Sequence, residues 1–126
     1  MLFIADLVAD LNGPRITPIT SLDSISAVHF AIYDNDQIQK LVLLNTEYFN
    51  ETTTRSSREF NIASSLGLNL KVRRLTGQSS DARTGVTWAG QSVDASGGIT
   101  GDLNIESVST GIVTLLASEA VIVERA

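Results

Sequence analysis

Val28-His-Phe-Ala-Ile-Tyr-Asp-Asn-Asp-Gln-Ile-Gln-Lys-Leu-Val-Leu-Leu-Asn45 decides the fold class. Residues 28–33 alternate. Val28, Phe30 and Ile32 point to one side of an extended chain, and His29, Ala31 and Tyr33 to the other. Asp34-Asn35-Asp36 follows, a cluster of residue types that tolerate left-handed backbone geometry and so close turns. The run Lys40–Asn45 comes next, and two β runs about such a turn read as a hairpin. Leu41 to Leu44 do not alternate, which is the pattern of a strand buried on both faces.

Working outward toward the C-terminus, Asn50 to Ser57 is a polar loop rich in Thr and Ser, and Arg58 to Ile62 reads as a short strand. Leu68, Leu70 and Val72 alternate with Asn69, Lys71 and Arg73, a half-buried strand with a charged outer face. Gly77 to Gly85 is a loop. Val86 to Gln91 is β-like and carries the only tryptophan, Trp88. Asp94 to Gly101 is a glycine-rich loop, and Ile112–Leu116 and Ala120–Val123 are two final strands. Toward the N-terminus, Arg15 to Ser24 reads as a polar connector. Before it, Ile4, Leu7, Val8 and Leu11 recur at helical spacing and predict a short helix, Leu2 to Leu11, stopped by Asn12-Gly13-Pro14. The expectation is an all-β fold, an antiparallel β-sandwich of about seven or eight strands preceded by a short N-terminal helix. The helix occupies 1–13 and the sandwich 14–126.

Composition agrees. A chain of 126 residues is one domain. Hydrophobic residues are 43% and charged residues 18%, which excludes disorder as the overall state. The net charge of −5 argues against a nucleic-acid partner, since phosphate neutralisation needs a basic surface. With no cysteine there is no disulfide framework, thiol nucleophile or thiolate zinc site, so stability rests on a packed core. A single histidine excludes a multi-histidine metal site. Nothing in the sequence calls for a cofactor. No run approaches the roughly 18 apolar residues of a membrane span. The start lacks a basic n-region, and Asp6 and Asp10 interrupt its apolar stretch, so it does not read as a signal peptide.

Few residues group as chemistry requires. Paired-carboxylate hydrolysis needs two acids across a cleft, whereas the acids here are scattered in turns (Asp34, Asp36, Asp94, Asp102) and at strand edges. His29, in mid-strand, reads as structural. Lys71, Arg73 and Arg74 read either as a charged strand face plus one buried or paired arginine, or as a small contact for an anion such as a uronate carboxylate. Gly97-Gly98-Ile99-Thr100-Gly101 lacks the lysine of a phosphate loop. Asn50-Glu51-Thr52 is a glycosylation sequon in a polar loop. Trp88 suits either core burial or sugar stacking, and Tyr48 and Phe49 are the aromatic candidates for a glycan contact in the loop after Asn45.

Five pieces in order, Ala31-Ile-Tyr33, Leu41-Val-Leu-Leu-Asn45, Lys71-Val-Arg-Arg-Leu-Thr76, Thr87-Trp-Ala-Gly-Gln91 and Ala117-Ser-Glu-Ala-Val-Ile-Val123, carry a resemblance. From about residue 25 to its end the chain resembles the C-terminal β-sandwich domain of glycoside hydrolase family 79, the β-glucuronidase and heparanase group. The resemblance implies a non-catalytic accessory domain that supports a (β/α)₈ barrel, in cis in the parent enzyme or in trans. The family's two catalytic glutamates lie in that barrel, which takes about 200–250 residues. No catalytic residue is therefore carried over, and no hydrolase activity is expected. The segment Leu2–Leu11 then resembles the last barrel helix. Such sandwiches also take a strand from the far N-terminus of the full enzyme, so an unpaired edge is expected. Two alternatives stand beside this: a stand-alone carbohydrate-binding module using Tyr48 and Phe49, and a subunit that self-associates through Ile4, Leu7, Val8 and Leu11. Relatives are often secreted, and the chain carries no export signal of its own.

Overall fold

The computed structural model describes residues 7–19 and 27–126. Its elements are Arg15–Ile19 (β1), Ala27–Asp34 (β2), Gln37–Asn45 (β3), Ser57–Asn61 (β4), Ala63–Leu66 (α1), Leu70–Thr76 (β5), Thr87–Trp88 (β6), Ser92–Val93 (β7), Ile99–Thr100 (β8), Glu106–Val108 (β9), Ile112–Leu116 (β10) and Ala120–Arg125 (β11). Asn35 and Asp36 take φ of 52° and 61°. Two successive positive-φ residues close β2 onto β3 as the sequence predicts, because that turn's twist matches the twist of paired strands.

One large sheet has the order β1-β2-β3-β11-β5-β6, with β9 also pairing β5, and every pairing is antiparallel. Register sorts its side chains into rows. Ile19, His29, Leu43, Val121 and Arg74 run across one face, and Pro18, Phe30, Val42, Ile122 and Arg73 across the other. A slip of one residue in β3 or β11 would exchange the two faces.

The first face is covered. β4 and β10 form a two-stranded sheet that, with α1, lays Phe60, Ile62, Leu66, Val113 and Leu115 over Leu41, Leu43, Leu70, Val72, Val121 and Val123. Gly111, ahead of β10, has φ +69°, and a Cβ there would lie 2.6 Å from the Ala63 Cβ, so only glycine lets the turn close onto α1. The covering layer is thus two strands wide over a much wider sheet.

The structure departs from the sequence reading in four places. Arg15–Ile19 is an edge strand and not a connector. All five residues are exposed, so no alternation marks them, and proline is tolerated on an edge. α1 has only four residues, too few for a helical period to show. β9 was not expected, being short and polar. The stretch read as a loop, Asp94–Gly101, contains β8, and residues 94–98 close the β7–β8 hairpin, in which Asp94 Oδ1 accepts from Ser96 N, Ser96 Oγ and Gly98 N. The first half of the predicted N-terminal helix, Ile4 included, lies outside the described residues. Leu7 and Val8 are helical, and Asp10, with φ 63°, takes left-handed geometry before the predicted Asn12-Gly13 stop.

Candidate functional site

The second face of the large sheet carries an apolar cluster of its own. Ile32 and Ile122 are fully buried and Val42 nearly so, in a cluster with Leu7 and Trp88, and Leu11, Phe30, Leu44 and Leu75 pack against it. Leu7 and Leu11, two members of the stripe predicted to face a partner, therefore rest on the chain's own sheet, while Val8 is exposed. Toward β1 the face opens into a concavity of about 240 Å³ lined by Leu7, Ile16, Phe30, Ile32, Val42 and Leu44. Ile16 there is 54% exposed. Charge marks the far end. Arg73 donates to Glu124 at 2.9 Å, and the buried Lys40 lies 4.0 Å from Glu124 and donates to Ala9 O at 3.3 Å.

A groove of about 440 Å³ runs along β4. Arg58, Glu59, Phe60, Asn61 and Ile62 form one wall, and Ala27, His29, Leu41 and Leu43 come from the large sheet. Among the described residues β4 pairs only with β10. The His29 ring meets Phe60 edge-on at 4.9 Å, and its Nε2 is buried without a partner among the described residues.

Burial, with a smaller contribution from the nearby Arg58 charge, holds the His29 pKa below its ordinary 6.5. The sign follows. Well above pH 6.5 the ring is neutral in both folded and unfolded chains, and stability is at its full value. As the pH falls through 6.5 the unfolded chain takes up the proton first. Stability then drops until the pH passes the folded pKa. His29 is the only histidine, so the melting temperature should fall as the pH is lowered through 6.5 in the native chain, and that fall should be absent from His29→Phe. Equal slopes in the two proteins would place the effect elsewhere.

The third feature is a cleft of about 400 Å³ at the other end of the sandwich, lined by Leu44, Tyr48, Leu75, Ser79, Val86 and Glu119 among others. Tyr48 is 65% exposed beside it. Phe49 is half-buried, with the Arg55 guanidinium 5.2 Å over its ring, and Arg55 also donates to Ala117 O and Gly77 O. Trp88 is 5% exposed within the second core cluster. Asn50 is exposed in its loop.

Lys71, Arg73 and Arg74 do not converge. Arg73 serves Glu124, while Arg74 turns to the opposite face. There it makes a two-pronged pair with Glu106 (2.8 and 2.9 Å) and donates to Glu119 (2.8 Å) and Thr114 O (3.0 Å). The hydrogen bonds to Glu106 lead in holding this guanidinium even more firmly protonated than usual, against the cost of burial. Glu119, 5% exposed, also accepts from Thr76 Oγ1 and Leu116 N. Asn45 bridges the layers by donating to Leu115 O. Sequence reasoning missed Arg55, Glu106 and Glu119, because their partners lie tens of residues away. Among the described residues no group of His, Asp and Glu is placed to hold a metal ion, and no helix is long and apolar enough to cross a membrane.

The sequence model of the glycosyl hydrolase family 79 C-terminal beta domain matches residues 29–122. Among solved structures, the chain is similar to a 4-O-α-L-rhamnosyl-β-D-glucuronidase from Fusarium oxysporum 12S, crystallised in complex with Rha-GlcA. The TM-score is 0.74 and the identity 30%, over 86% of this chain and 25% of that chain. The chain thus spans a quarter of that enzyme chain's length. Comparison with curated proteins gives no match.

Proposed function

The chain belongs to the glycosyl hydrolase family 79 C-terminal β domains, and from that membership we propose that it is the non-catalytic accessory domain of such an enzyme, docked on a catalytic barrel. The observation that carries this is the second sheet face. A sheet whose two faces are both apolar requires two covering layers. β4, β10 and α1 supply one. Over the other, the concavity of Leu7, Ile16, Phe30, Ile32, Val42 and Leu44 is the seat for helices of the barrel, with residues 1–13 continuing from the barrel and residues 14–126 forming the sandwich. The groove along β4 is the place for the further strand that full enzymes of this family lend to the sandwich. Its floor offers the apolar Leu41 and Leu43.

No turnover belongs to this chain in that reading, since the acids that would cleave a glycoside sit in the barrel. Purified protein should leave an aryl β-glucuronide intact, and turnover that survives repurification would overturn the reading. A glycan contact made by the domain itself is the alternative, favoured by Tyr48, which stands exposed at the rim of the cleft. If the domain binds sugars, Tyr48→Ala should abolish the saccharide-induced changes seen on titration, and an unchanged titration would remove Tyr48 from the account.

A further inference from the structure

We propose that Asn50 is an acceptor for an N-linked glycan. Of the seven asparagines in the chain only Asn50 is followed, two residues on, by serine or threonine with a non-proline residue between. The structure adds exposure and local geometry to that spacing. Asn50, Glu51, Thr52, Thr53 and Thr54 are all exposed in the loop between β3 and β4. Both ends of this stretch are tied down. On one side Phe49 N donates to Ser80 Oγ and Ser80 N to Phe49 O. On the other, Arg55 donates to Ala117 O. The tip therefore projects as a fixed feature, and an added sugar there displaces no packed side chain.

Within the tip, Thr52 Oγ1 donates to Asn50 Oδ1 at 2.6 Å and Thr52 N to the same oxygen at 3.2 Å. Glu51, at φ 70°, shapes the turn that brings them together. Both bonds use the amide carbonyl and neither uses Nδ2, the atom to be modified. Asn45 shows the opposite case. It is 2% exposed and its Nδ2 is committed to Leu115 O at 3.2 Å. In the modification a transferase presents an oligosaccharide carried on a lipid pyrophosphate. Asn50 Nδ2 forms the bond to the anomeric carbon, and the carbon–oxygen bond to the pyrophosphate breaks. The bonding pair leaves on the phosphate oxygen, and one amide proton passes to a base of the transferase.

The test is to express the full chain behind a cleavable secretion leader in yeast and read the intact mass and a peptide map. The expected result is a hexosamine-containing mass confined to the peptide that holds Asn50. Peptide-N-glycosidase should remove it and leave aspartate at that position. The mass should be absent from Asn50→Gln and Thr52→Ala and present in Thr52→Ser. Chain retained in the cell is read in the same way, so poor secretion does not hide the answer. An unmodified Asn50 peptide in the native chain, or an unchanged glycan on Thr52→Ala, overturns the proposal.

Discussion

Replacing Arg74 with alanine should lower the unfolding free energy by about 3–5 kcal/mol, the cost of leaving a buried charge without its partner. The stranded charge is Glu119, whose side chain is 5% exposed and whose remaining partners, Thr76 and the Leu116 amide, bring no positive charge. Glu106, at 35% exposure, can turn to water and contributes less. Arg74 also joins three separate pieces of chain, β9, β10 and the turn before β11, so its loss loosens the layers as well as the charge balance. Two controls give the claim its edge. Arg74→Ala combined with Glu119→Gln should be less destabilised than Arg74→Ala alone, because the stranded charge is gone. Arg15→Ala, which breaks a pair exposed on both sides, should cost under about 1 kcal/mol. Urea titrations of the four proteins check this. A loss for Arg74→Ala no larger than that for Arg15→Ala would show that the network is not holding the layers together.

Phe60→Ala should cost about 3–5 kcal/mol, as expected for truncating a buried aromatic ring. Phe60 is 5% exposed and is one of few large side chains in a covering layer only two strands wide. Phe30, half-buried, lines the open concavity of the other face. There Phe30→Ala should cost the isolated chain less, about 2 kcal/mol, since part of its ring stays in water on folding. Trp88, the sole tryptophan and nine-tenths or more buried in the second cluster, reports the transition in both variants. Equal losses would mean that the two faces are equally closed in the isolated chain, against the reading of one finished and one unfinished face.

The parts of this fold that sequence makes legible are those where one residue pattern answers to one physical demand. Residues 28–33 alternate because β2 has a face in each core. Leu41 to Leu44 are continuously apolar because Leu41 and Leu43 enter one core while Val42 and Leu44 enter the other. Parity along β5 separates Arg74 from Lys71 and Arg73, so a buried or paired arginine was among the readings open from sequence. Its partners were not legible, because Glu106 and Glu119 lie 32 and 45 residues away. β1 escapes because an exposed edge strand has no reason to alternate. At the candidate sites Tyr48 and Asn50 follow from a polar loop. The Trp88 alternatives, core or platform, could be separated only by knowing that Leu75 lies beside it in the sheet.

The measurement that tests the central claim most directly is the activity and solubility of a chimera. In it, this chain replaces the matching quarter of the Fusarium oxysporum glucuronidase, with and without Ile16→Lys and Phe30→Lys. An accessory domain docked through its second sheet face predicts a soluble, active chimera and a sharp loss of both properties when the two lysines place charge in the concavity. A lysine-bearing chimera as stable and active as its parent would contradict the account, as would a barrel that keeps full stability and activity with the domain deleted.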